Sequence, residues 1–222
     1  MKFNLTIQQL KEAERSVYSQ GGQDGVLEAI FKQLEIKKGK YVEAGARDGI
    51  ELSNTANLRI NHGWSGLLMD AEPLSFIVNK AFITKDNINK LLNHYEAKDV
   101  DLLCLDLDGN DWYVWEAIKQ SPKCVLIEYN SKFRHDESYA IVYDENHIWA
   151  GDDYYGASLL ALKRLGERKG YTLVYKLVQL DAIFIRNDLL DENYVPPTIK
   201  ELHPEPIIAH DTGSNKKWVE IK

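Results

Sequence analysis

The feature that most constrains this chain is a repeated unit: a short apolar run that closes on an acid, followed by a segment with helical periodicity. Tyr41-Val42-Glu43-Ala44, Ser65-Gly66-Leu67-Leu68-Met69-Asp70, Val100 through Asp106 to Leu107, and Lys123 through Ile127 to Glu128 are the clearest runs, and 81–84 is a shorter one. Near-continuous apolar runs alternating with amphipathic segments predict strands buried on both faces of a mostly parallel sheet, with helices covering it. The last two runs, 171–177 and 181–186, are joined by too short a connection for a crossover, so they form an antiparallel pair. The fold class is therefore α/β.

The helical segments fall at 7–17, at 25–34 with Asp24 as cap, at 53–61 with Ser53 or Asn54 as cap, at 88–95, 112–118 and 158–169, and Pro73 is expected to open another. With 222 residues and 44% apolar content, one substantial core is expected, and 1–222 is read as one domain. It would carry N-terminal helices over 5–35, an aromatic, acidic insertion at 129–157 and an irregular tail at 188–222, where Pro196, Pro197, Pro204 and Pro206 stand. No apolar run is long enough to cross a bilayer, and the first residues lead into a polar stretch, not a leader's apolar segment. Cys104 and Cys124, the two cysteines, are flanked by apolar residues, which excludes a disulfide framework and fits a cytoplasmic location. With 34 Asp and Glu against 27 Lys and Arg, the net charge of −7 argues against nucleic acid as a partner. A homo-oligomer is left open.

Ligands of open α/β sheets bind outside the carboxyl ends of the strands. That rule selects Glu43, Asp70, Asp106 and Glu128, four acids on one predicted edge. The loop Glu43-Ala44-Gly45-Ala46-Arg47-Asp48-Gly49 reads G-x-x-x-G where a dinucleotide fingerprint reads G-x-G-x-x-G. It suits a ligand without a pyrophosphate, or its glycines simply make turns. Asp70 stands where a carboxylate grips a ribose diol, a position that also suits a helix cap. In Asp106-Leu107-Asp108-Gly109-Asn110-Asp111 several acids crowd one turn. The insertion holds Phe133, Tyr139, Tyr143, Trp149, Tyr154 and Tyr155 with His135 and His147, and reads as an acceptor-recognition element or as aromatics packed on the body or on a second subunit. His147, lying between acids and Trp149, is the more interesting histidine, although a lone loop histidine is more often solvent-exposed than catalytic, and His203 and His210 read as tail residues.

Five segments stand in order along the chain: Ser19-Gln20-Gly21-Gly22-Gln23-Asp24, Val42-Glu43-Ala44-Gly45-Ala46-Arg47-Asp48-Gly49, Leu52-Ser53-Asn54-Thr55, Asp106-Leu107-Asp108-Gly109-Asn110-Asp111 and Ile127-Glu128-Tyr129-Asn130. In them, 18–187 resembles the class I S-adenosylmethionine-dependent methyltransferases, and among these the FkbM-like family. The resemblance implies a Rossmann-like three-layer sandwich with a mostly parallel seven-stranded sheet ending in an antiparallel hairpin. It also implies S-adenosylmethionine as cofactor and methyl transfer to a hydroxyl of a saccharide or small polyol. Carried over by position, Glu43, Gly45, Ala46 and Gly49 surround the donor, Asp70 with Ala71 holds its ribose, Asn54 holds its amino-acid end, and Gln20 lines the same pocket. The family more often has Glu where this chain has the shorter Asp108, and the tail after Asp188 has no match.

Methyl transfer from a sulfonium is an in-line displacement, and a hydroxyl nucleophile must lose its proton. Asp106, Asp108 and Glu128 are the catalytic candidates, because crowded carboxylates raise one another's proton affinity. Asp106, Glu128 and Asn130 are an alternative oxygen-ligand set for a divalent metal such as Mg²⁺, which the spacing does not favour. Two rival readings are kept: a Rossmann-like enzyme using another nucleotide cofactor, and a catalytically silent binding module of the same fold.

Overall fold

The computed structural model describes residues 2–177, 181–205 and 216–222. Pro206 and His210 lie outside the described residues. In chain order the elements are α1 (Ile7–Ala13), α2 (Gln23–Gln33), β1 (Lys40–Ala44), α3 (Ala56–His62), β2 (Ser65–Asp70), β3 (Asn79–Lys80), α4 (Ile88–His94), β4 (Leu102–Leu105), α5 (Asp111–Ala117), β5 (Cys124–Glu128), β6 (Tyr139–Ile141), α6 (Leu159–Lys169), β7 (Tyr171–Lys176), β8 (Asp181–Arg186), α7 (Ile199–Leu202) and β9 (Trp218–Glu220).

Seven strands form one sheet in the order β3-β2-β1-β4-β5-β8-β7. The first five in this order are parallel, while β8 runs antiparallel to both β5 and β7. This is the Rossmann-like sheet with a closing antiparallel hairpin. Every residue of β4 and β5 is buried, as a sheet covered on both faces requires. On the helical side, α1 packs on α2 and α2 on α3, while α4 packs on α5 and α5 on α6.

The chain moves outward from β1 to β2 and β3, then returns to place β4 on the other side of β1. Ala44 and Leu105 end these neighbouring strands in register. Loops leaving β1 and β4 therefore diverge from adjacent points, and a crevice opens between them.

Several boundaries differ from the sequence reading. Helix α1 stops at Ala13, and Val17 is exposed. Asp24 does not cap α2, which begins at Gln23 after Gly22; its Oδ2 instead accepts the N–H groups of Val17, Tyr18 and Ser19, so it ties down the preceding loop. Pro73 opens no helix, because 71–78 is spent on turns that bring the chain to β3. The third strand is only Asn79–Lys80, and 81–84 is left free of the sheet.

The tail is not irregular throughout. Thr198 and Glu201 form a reciprocal capping box that starts α7. Strand β9 pairs antiparallel with β6, from Tyr139 opposite Glu220 to Ile141 opposite Trp218. The insertion is thus stapled to a segment that is distant in sequence.

Candidate active site

Loops from β1, β2, β4 and β5 meet at the carboxyl edge of the sheet. Just past β1, Gly45 turns with φ +86°, and a Cβ there would overlap the backbone carbonyl of Asp106. Only glycine satisfies both demands. The Gly45 and Ala46 N–H groups donate to the Met69 carbonyl at 2.9 and 3.0 Å. Asp70, the last residue of β2, accepts the Arg47 N–H on Oδ2 at 2.7 Å and the Glu72 N–H on Oδ1 at 2.8 Å. Its carboxylate therefore braces the glycine loop against the next turn. Gly49 faces the core, against Leu68, Ile77 and Val78.

Glu43 does not line the cleft. It is buried in β1, where its carboxylate accepts from the Ser53 and Thr55 hydroxyls and from the Asn54 N–H. Burial raises its proton affinity, and these donors pull the other way. Glu43 thus holds the turn that presents Asn54, whose Oδ1 is buried without a hydrogen-bond partner. Ser19 bridges to Leu52, which sets the exposed Gln20 beside the same turn.

A cleft of about 160 Å³ lies at the switch point, with Gly45, Asp70, Ala71, Asp106 and Asp108 among its walls. Ala81, Phe82 and Ile83, expected as a strand, form its far side. A larger apolar groove of about 560 Å³ between α2 and α3 is lined by Phe31, Leu58 and Trp64. Trp64 precedes β2, so that groove lies toward the opposite end of the strands from the acids.

Asp106 follows β4, Asp108 sits in a left-handed turn at φ +53°, and Glu128 closes β5. One carboxylate oxygen of each lies within 4.8 Å of the others. Asp106 is exposed to the cleft, and the protein packed around it, with Asp181, Asp111 and Asp108 nearby, raises it well above the usual carboxylate range. Burial does the same to Glu128, reinforced by Asp106, Asp111 and Asp108. Burial also raises Asp108, with His147 pulling the other way. Two further acids back the trio. Asp111 accepts the Leu107 and Gly109 N–H groups and is pushed up to about 6 by burial. Asp181, opposite Glu128 in the β5–β8 register, is also pushed up to about 6 by burial, against a hydrogen bond from the Gln23 amide.

Asn130, of the alternative oxygen set, is engaged within the insertion. Its amide nitrogen donates to the Asp153 and Tyr155 carbonyls and its Oδ1 accepts from Lys132, so it shapes the insertion. Asp108 stands with Asp106 and Glu128 instead.

No protein-family profile matches the chain, and no curated protein matches it. Among solved structures the chain is similar to the N-terminal domain of EvdMO1, determined in the presence of SAH and D-fucose, with TM-score 0.40 and 11% identity over 81% of this chain and 94% of that one. An overlap that slight assigns no chemistry to this chain.

The residue that sequence reasoning undervalued is His147. Its ring lies against Gly109 and lines the cleft, and its Nε2 is buried without a hydrogen-bond partner. Its position between acids and Trp149 is a local hint, but its place over the cleft is not signalled locally. The insertion brings it there because β6 is held by β9, Ala140 bridges to Ala157, and the Tyr154 hydroxyl donates to the Lys217 carbonyl. Phe133 and Tyr154 pack on Trp218 at 4.7 and 4.9 Å between ring centroids, so these aromatics serve the staple. Trp149 and Ile148 remain exposed.

Proposed function

We propose that this protein is an S-adenosylmethionine-dependent O-methyltransferase acting on a hydroxyl of a saccharide or small polyol. One observation carries the reading. The segments around Gln20, Gly45, Asn54, Asp106 and Glu128, dispersed over more than a hundred residues, stand together along the carboxyl edge of one sheet, beside its switch point. In this reading Gly45, Ala46 and Gly49 form the donor turn, Asp70 and Ala71 meet the ribose, and Asn54 and Gln20 meet the amino-acid end. Glu43 positions Asn54. An anionic pocket favours a sulfonium cation electrostatically.

Asp106, Asp108 and Glu128 orient the acceptor hydroxyl and take its proton. Acids whose proton affinity is raised are suited to that task. The insertion, with exposed Trp149, covers the acceptor.

A pyrophosphate cofactor is disfavoured by a specific feature. After Gly49 no helix begins before Ala56, so no helix N-terminus faces the glycine turn. Calorimetry with S-adenosylhomocysteine tests the proposal: micromolar binding that Asp70→Ala weakens is expected, and no binding would sink it.

A further inference from the structure

We infer that Asp106, Asp108 and Glu128 form a binding site for one hard divalent cation, Mg²⁺ or Mn²⁺. The three side chains come from two adjacent parallel strand ends and place one oxygen each within 4.8 Å of the others. Oxygens bound to one such ion at about 2.0–2.2 Å stand at most about 4.4 Å apart, so small side-chain rotations bring all three onto a single ion.

A cluster of acids alone would be unremarkable on a surface. Here the cluster includes a carboxylate that is not at the surface. Glu128 is 9% exposed, and its Oε2 is buried without a hydrogen-bond partner. Among the described residues, no Lys or Arg forms an ion pair with any of the three acids, although ten such contacts occur elsewhere. A buried carboxylate oxygen without a donor is unsatisfied, and coordination to a divalent cation would satisfy it and favour the ionised form. Asn110 adds a neutral oxygen: it lines the same cleft as Asp106 and Asp108, and its Oδ1 is likewise buried and unpartnered.

Ligand chemistry narrows the ion. The donors are oxygens, which suit Mg²⁺ and Mn²⁺ and do not select Zn²⁺ or Cu⁺. Both cysteines are buried within β4 and β5 and remain thiols, since burial raises both. The cation site stands without methyl transfer. Its role in acidifying an acceptor hydroxyl rests on the methyltransferase reading.

The test uses the full chain, stripped with chelator and titrated with Mn²⁺ in the absence of any nucleoside, followed by electron paramagnetic resonance of free Mn²⁺. One ion per chain is expected, displaced by Mg²⁺. Glu128→Gln and Asp108→Asn should each weaken it on the order of tenfold or more. Asp108→Asn keeps a residue that tolerates the left-handed turn, so it reports on ligation even if the Glu128 variant fails to fold. No binding at millimolar Mn²⁺, or equal binding by the Asp108 variant, overturns the site. S-adenosylhomocysteine calorimetry on the same samples separates the two readings, because donor binding without Mn²⁺ binding removes the metal and leaves the methyltransferase.

Discussion

The imidazole of His147 rests against the α-carbon of Gly109, so that a Cβ at position 109 would overlap the ring's Cδ2. Residue 147 belongs to the insertion after β5, and residue 109 to the turn between β4 and α5. The contact ties the strap over the cleft to the loop that carries Asp106 and Asp108.

A double-mutant cycle follows from this contact. Gly109→Ala is expected to destabilise the protein by about 1–3 kcal/mol through overpacking. Combined with His147→Ala it should lose most of that cost, giving a coupling well above the roughly 0.5 kcal/mol seen for independent sites. Urea unfolding of the four proteins measures it, and additive effects would mean the ring does not sit on the turn.

Gly45→Ala should be severe. A side chain there meets the Asp106 carbonyl and must also hold φ +86°. Together these predict a loss of roughly 3 kcal/mol or more. A urea midpoint close to the parent protein's would show that the two loops do not touch.

Glu43 is expected to act on the donor only through the 53–55 turn. Glu43→Ala leaves the Ser53, Asn54 and Thr55 donors without their acceptor and should cost about 2–4 kcal/mol. Glu43→Gln keeps one acceptor oxygen and should cost less. In both, S-adenosylhomocysteine affinity should fall in step with stability. An affinity loss in a fully stable Glu43→Gln variant would point to direct contact with the donor.

Tyr41 makes the alkaline limb predictable. Burial pushes its phenol up to about 12. The unfolded chain's tyrosines ionise near ~10. Between these values the unfolded state loses its proton first, so the stabilisation is complete below about pH 10 and is lost as pH rises toward about 12, at up to ~1.4 kcal/mol per unit. Tyr41→Phe should flatten this limb relative to the parent, as measured by urea unfolding at stepped pH.

Much of this arrangement is legible in the sequence, for a local reason. The runs that became β1, β2, β4 and β5 read as strands because burial on both faces demands unbroken apolar sequence, and all four were placed within a few residues. Strand β3 and the turns after Asp70 were misread because Pro73 and 81–84 carry local signals for a helix and a strand that the neighbouring chain overrides. Asp24 has the chemistry of a cap, yet three backbone N–H groups from the preceding loop capture it. Asp181 is not legible as part of the site, and His147 gains its place over the cleft, because both depend on contacts with segments distant in sequence.

The sequence by itself determined the layered α/β sheet, the edge on which its acids lie and the glycine at the β1 turn, since patterning and backbone sterics act over a few residues. Only the tertiary structure decided how the acids divide their labour. Glu43 turns into the body to hold a loop, Asp70 braces two turns, and Asp106, Asp108 and Glu128 are brought together, with no ion pair to Lys or Arg among the described residues. Which carboxylate finds a donor depends on the N–H and hydroxyl groups that strand order and loop packing bring beside it, and those come from segments tens of residues away.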